Sequence, residues 1–397
     1  MFAPTVLVIM VTVAQCYSQS DDLNLAKANN VFSLNLLKQL TSENRNANVF
    51  FSPTSISAAL AMIYAGAGGS SEEELSTILG HAGFGLIDRG AVLQGYKKLM
   101  AATSSGEVTL DIANAVLIQD KLHVLDSFKR ALTESFDAEL RSVDFVKDGP
   151  KVESEVNEWV SQKTRGKIPS IVDDGFPMNT VMFLLNAVYF NGTWRAQFQP
   201  KNTIPRPFYN HGIKKVQIKT MALRGSIRHT RLEDLKAEAV ELPYKGEEYS
   251  MVIVLPASKT GLPQVRDALT VQKLQDITSR LSAKRVILTL PKFELQTNYD
   301  LVPTLKQMGL KSVFDGRSDF SGITGDKSLY VSGMRHKAMV EVKEEGTVAA
   351  AVTSISMGLR SSLAPRVVNF HVDRPFLFYI KHTVTGRLLF MGEVHQL

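Results

Sequence analysis

Apolar residues recur at Leu25, Ala28, Phe32, Leu36 and Leu40. Steps of three and four put them on one face of a helix, so the chain predicts an amphipathic helix over Asp22 to Leu40. Close behind it, Ser52 offers a capping hydroxyl and Pro53 a first-turn proline ahead of the apolar segment Ile56 to Tyr64, which runs into glycines. Val152, Val156, Trp159 and Val160 mark a further helix that ends by Gly166. Elsewhere the period drops to two or the apolar run becomes continuous, and strands are expected. Val108, Leu110 and Ile112 alternate, while Val181 to Phe190 and Met251 to Leu255 are unbroken apolar runs. Phe376 to Ile380 and Leu388 to Met391, joined across Thr385-Gly386, read as a hairpin buried on both sides. Helices crowd the first half and strands the second, with no linker or repeat between them. The pattern therefore predicts one α+β domain.

One segment departs from this rhythm of compact elements and short turns. From Glu344 to Pro365 the chain is rich in small residues and has no aromatic. A connection this long is normally functional or disordered. Within it Thr347, Ala349, Ala351, Thr353, Ile355 and Met357 would share one uncharged face if the segment became a strand. A loop that needs only to be soluble has no use for such a face.

The N-terminus narrows the setting. Met1 to Ser18 contains no Lys, Arg, Asp or Glu, and Val6 to Ala14 is mostly apolar before small and polar residues follow. This reads as a secretory signal peptide over residues 1–18, with cleavage after Cys16 or after Ser18 both acceptable, and makes the mature protein extracellular. Cys16 is the only cysteine among 397 residues, so the mature fold is expected to lack disulfides and to depend on its core. A 44% hydrophobic, 21% charged chain of net charge +6 can build that core, and is neither disordered nor polybasic.

Candidate chemistry is sparse. The cysteine count excludes zinc-thiolate sites and cysteine catalysis, and the eight histidines show no His-x-x-x-His spacing. There is no Gly-x-Ser-x-Gly elbow and no phosphate-binding Gly-Lys-Ser/Thr loop. Gly66-Ala67-Gly68-Gly69 follows an apolar helix instead of a strand and reads as a helix end. No catalytic residue, metal site or enzymatic activity is expected.

Several motifs resemble the serpin superfamily along essentially the whole mature chain, residues 19–397. They are Asn48 to Ile56, Phe183 to Trp194, Glu241-Leu242-Pro243-Tyr244, Asp319-Phe320-Ser321-Gly322, His336-Lys337-Ala338 and Phe370 to Phe378. The likeness is to secreted inhibitory members of arthropod type, tick saliva included. It implies a single α+β domain with a large central sheet, smaller sheets, about nine helices and an exposed reactive-centre loop at about 344–365. The target's serine attacks that loop, which then inserts into the sheet as an extra strand and traps the acylated protease. By this resemblance Glu344, Glu345, Gly346, Thr347, Val348, Ala349, Ala350 and Ala351 form the hinge. Val348 stands where many relatives carry an acidic residue.

Counting on from the hinge puts Arg360 at the primary specificity position and Ser361 after the scissile bond, with Met357, Gly358 and Leu359 flanking. Arg360 is also the only basic residue between Glu344 and Pro365, and it suits the acidic pocket of trypsin-like serine proteases. Ser52, Ser55, Asn186 and His336 match the polar shutter beneath the sheet, and Trp194 the breach where insertion begins. Asn191-Gly192-Thr193 is a candidate glycosylation sequon. The expected partners are proteases captured covalently by a monomer, without nucleic acid or membrane. Lys97-Lys98, Lys129-Arg130 and Lys214-Lys215 read as solvated faces, although some relatives use a glycosaminoglycan cofactor. The competing reading is a non-inhibitory serpin, a carrier or a mere protease substrate.

Overall fold

A computed structural model describes residues 3–86, 88–102, 108–345 and 367–397, with side chains from Asp22 onward except at Ala102. Leu25, Ala28, Phe32, Leu36 and Leu40 form a buried stripe on the helix Ala3–Glu43, as their spacing predicts. That helix is continuous through the stretch read as a signal peptide. Among the described residues no helix is long and apolar enough to cross a membrane. Ser52 caps the next helix, Pro53–Tyr64, accepting the Ser55 N–H on its Oγ at 3.2 Å. Mostly apolar, this helix is enclosed at every residue, its hydroxyl residues Thr54, Ser55 and Ser57 included. The helix Gly149–Lys163 buries Val152, Val156 and Val160 and half-buries Trp159.

Two sheets organise the rest. One has nine strands: β1 (Val49–Phe51), β5 (Ile204–Asn210), β6 (Lys214–Leu232), β7 (Ala237–Pro243), β8 (Tyr249–Pro256), β9 (Ser282–Pro291), β12 (Val368–His371), β13 (Phe376–His382) and β14 (Leu388–Val394). The other has five: β2 (Val108–Gln119), β3 (Glu139–Val143), β4 (Met182–Gly192), β10 (Phe293–Asp300) and β11 (Gly333–Val342), in the order β10-β11-β4-β2-β3. The central strand expected from the sequence is β4. It lies in the sheet with fewer strands, where it is antiparallel to β2 and parallel to β11.

The unbroken apolar run in β4 follows from being covered on both faces. Phe183, Leu185, Ala187 and Tyr189 pack with Val152, Val156 and Val160 of the helix above. On the opposite face Met182 and Leu184 join the core around the helix Pro53–Tyr64, while Val188 and Phe190 meet side chains of the nine-stranded sheet. The predicted C-terminal hairpin is β13 against β14, turned through Gly386, whose φ of 68° suits a residue without a Cβ. The result is one α+β domain.

Candidate functional site

The site is the seam between β4 and β11, two parallel strands in register from Phe183 opposite Gly333 to Phe190 opposite Val340. At its lower end any side chain on Gly333 would strike the Phe183 ring, which a Cβ would approach to 2.2 Å. The Phe183 ring thus fills the space over Gly333.

Half-way up, Asn186 lies directly opposite His336, both wholly buried. The Ser52 N–H donates to His336 Nε2 at 3.2 Å, which fixes the neutral tautomer and leaves Nδ1–H to donate to Asn186 Oδ1 at 2.5 Å. Burial pushes the His336 imidazole down to about 3, so it stays uncharged. Asn186 Nδ2 donates to Ser55 Oγ at 2.5 Å and to Asn114 Oδ1 at 2.6 Å, and Ser52 Oγ donates to Leu389 O at 2.7 Å. Ser52, Ser55, Asn186 and His336 therefore form one connected cluster, as the resemblance anticipates. It ties the start of a helix to both strands of the seam, to β2 and to β14. Asn114 is the member that sequence reading missed. Its signal was available, since Asn114 interrupts the apolar run Ile112 to Val116 much as Asn186 interrupts β4.

At the upper end β11 leaves the sheet under a set of clasps. Trp194 stacks on Tyr244 with ring centroids 4.4 Å apart, and its Nε1–H donates to Lys343 O at 2.9 Å. The N–H groups of Trp194 and Phe198 donate to Glu345 O and Glu344 O at 3.1 and 2.9 Å. The Glu344 carboxylate accepts from Thr203 Oγ1 at 2.8 Å and pairs with Lys292 Nζ at 2.7 Å. Burial alone would raise its pKa, but the Lys292 and Thr203 hydrogen bonds outweigh it and hold the carboxyl below the ordinary glutamate value. Lys292 and Thr203 were not legible as site residues, because no local pattern points from them to Glu344.

Asn191 lies three residues before Trp194 inside the β4 ladder, opposite Thr109 and half-buried. The hinge residues Gly346, Thr347, Val348, Ala349, Ala350 and Ala351, with Met357, Gly358, Leu359, Arg360 and Ser361, lie outside the described residues. That segment starts where β11 ends and finishes at β12, which belongs to the other sheet.

Comparison with known proteins agrees with this arrangement. The family profile described as "Serpin (serine protease inhibitor)" matches residues 27–397. Iripin-8 of Ixodes ricinus is 42% identical over 394 residues, covering 98% of each chain. Intracellular coagulation inhibitor 1 of Tachypleus tridentatus is 36% identical over 379 residues, covering 94% of this chain and 90% of the relative. Among solved structures, human thyroxine-binding globulin complexed with thyroxine superposes with a TM-score of 0.86 at 29% identity, covering 95% of this chain and 99% of the globulin.

Proposed function

We propose that this chain, which belongs to the serpin family, is a secreted suicide-substrate inhibitor of trypsin-like, arginine-specific serine proteases. The observation that carries the reading is the parallel seam between β4 and β11, with the reactive segment hung from the end of β11. A segment that folds back from that end runs antiparallel to β11 and, because the two strands are parallel, antiparallel to β4 as well. One parallel pairing is then replaced by two antiparallel ones, which are more stable per residue. Length supports this too. About fifteen residues from Gly346 to Arg360 span ~50 Å when extended, against ~36 Å for the 11 residues of β4.

On this reading the protease acylates at Arg360, the new chain end at Arg360 stays esterified to its serine, and Ser361 leaves with the C-terminal fragment. Insertion begins under Trp194 and passes the Asn186–His336 cluster, whose polar groups re-bond to the incoming strand. The protease is dragged the length of the sheet before water reaches the ester. Glu344 and Glu345 belong to the stem from which the hinge swings. The hydrophobic N-terminal stretch acts as the signal peptide, Asn191 is the candidate glycan acceptor, and no cofactor is expected.

The test is incubation of the mature protein with trypsin. The expected product is a covalent complex that survives boiling in SDS, formed with an association rate that drops at least ~100-fold in Arg360→Ala. Cleaved chain without complex would favour a carrier or substrate role instead.

A further inference from the structure

The turn 80–86 joins the helices Gly69–Ile78 and Arg89–Ala102. Much of it faces water: Ala82, Gly83 and Gly85 are exposed, and a Cβ on either glycine would meet nothing within 4 Å. Two side chains anchor it, His81 with no solvent exposure and Leu86 with 4%. At its start Gly80, at φ 74°, is pressed against the helix Ala3–Glu43, where a Cβ would lie 3.4 Å from the Ala28 backbone.

His81 is an unusual anchor. Its ring meets two tyrosines in T-shaped contacts, 5.3 Å from Tyr64 at 74° and 6.2 Å from Tyr96 at 63°. Neither ring nitrogen has a hydrogen-bond partner among the described residues, whereas buried polar groups are normally bonded. Charges lie around the site but are not bonded to the ring. Arg89 stands over the Tyr64 ring at 5.4 Å and pairs with Glu72 at 2.6 Å, Asp88 also acts on Tyr64, and Arg387 acts on Tyr96. The helix Ala3–Glu43 presents Ala28, and Phe136 packs on Tyr96 at 5.6 Å. Burial alone pushes the imidazole down to about 4. A neutral ring fits this place. A protonated ring has two N–H donors and a charge with no acceptor bonded to it, and it must leave.

We propose that the turn 80–86 is an acid-released latch whose bolt is the His81 ring, shut while the ring is neutral and swung out into water once it takes a proton. The latch goes beyond the inhibitor reading and does not depend on it. Opening withdraws the group that stands between Tyr64 of one helix and Tyr96 of the other, so the helix Arg89–Ala102 loosens from the helix Pro53–Tyr64. In the open form the ring binds a proton near the ordinary histidine value of about 6.5, and in the shut form only near 4, so acid favours the open form. The opening equilibrium therefore rises about tenfold for each pH unit below ~6.5 and levels off near pH 4, about 300-fold in all.

Amide hydrogen exchange of the intact full chain, read by mass spectrometry and corrected for the intrinsic pH dependence of exchange, measures this opening. Between about pH 6.5 and 4.5 the open population of the 80–86 turn should grow about 50- to 100-fold, while the amides of the β13–β14 hairpin stay protected. His81→Phe, which keeps a ring but takes no proton, should hold the turn at one level of opening across that range. His81→Leu repeats the measurement if the larger ring unsettles the fold. A wild-type turn whose opening is flat with pH overturns the latch. So does a turn that responds to pH as strongly in both variants, which would assign the response to another group. Loss of hairpin protection in step with the turn also overturns it, since the event would then be global unfolding.

Discussion

The β13–β14 hairpin and the β4–β11 seam are both buried strand pairs, yet they are built in opposite ways. The hairpin is antiparallel, joined by a short turn and packed mostly through apolar side chains, with Phe378 stacked against Phe50 at 5.9 Å and Phe50 against Phe390 at 5.4 Å, while its buried charges, Glu393 and Lys381, are paired with Arg266 and Glu241. The seam is parallel, joins strands far apart in sequence, and carries a wholly buried Asn–His pair at its middle. Apolar packing rewards one arrangement of neighbours and penalises every gap. A polar cluster can exchange one hydrogen-bond partner for another at a small net cost. On the insertion reading, the chain combines a pair closed for good with a pair that admits another strand, and the clasps around Glu344 guard the open end of the second.

The sharpest way to break this contrast is to cut into the closed pair. Phe378→Ala removes a ring with no solvent exposure and should cost ~3–5 kcal/mol of stability, read by urea unfolding. A loss below ~1 kcal/mol would mean that the hairpin is not the fixed element. Next in size is Asn186→Ala, which strands the His336 Nδ1–H, Ser55 Oγ and Asn114 Oδ1 contacts and should cost ~2–3 kcal/mol. Stability within ~0.5 kcal/mol of wild type would show that the cluster does not hold the seam.

The smallest effect belongs to the clasp. Glu344→Gln should lower stability by ~0.5–1 kcal/mol at neutral pH. Because the folded-state pKa of Glu344 is depressed, its contribution is complete above the unfolded glutamate value and disappears as the pH falls through the lower, folded one. Wild type and Glu344→Gln should therefore converge in acid. A gap that persists below that range would assign the effect to shape and not to charge.

These contrasts also explain what could be read from the sequence. The stripe from Leu25 to Leu40, the Ser52-Pro53 start and the hairpin around Gly386 are local, so periodicity and turn chemistry reveal them. The pairing of β4 with β11 is not local: Asn186 and His336 are separated by 150 positions. Only the family likeness brought Ser52, Ser55, Asn186 and His336 together in advance. Asn114 was overlooked although a lone amide in an apolar strand is the same sign as Asn186. Lys292 and Thr203 left no mark at all, because a polar or charged residue on a strand end or loop looks the same whether it is solvated or bonded to a distant partner.

The central claim, that the seam is a place waiting for one more strand, is tested most directly by thermal unfolding before and after a single cleavage between Gly346 and Pro365. The account predicts that the nicked protein melts on the order of 10 °C or more above the intact one, because an added strand contributes several kcal/mol and each shifts the midpoint by roughly 2 °C in a chain of this size. An unchanged or lower melting temperature after the cut would contradict it.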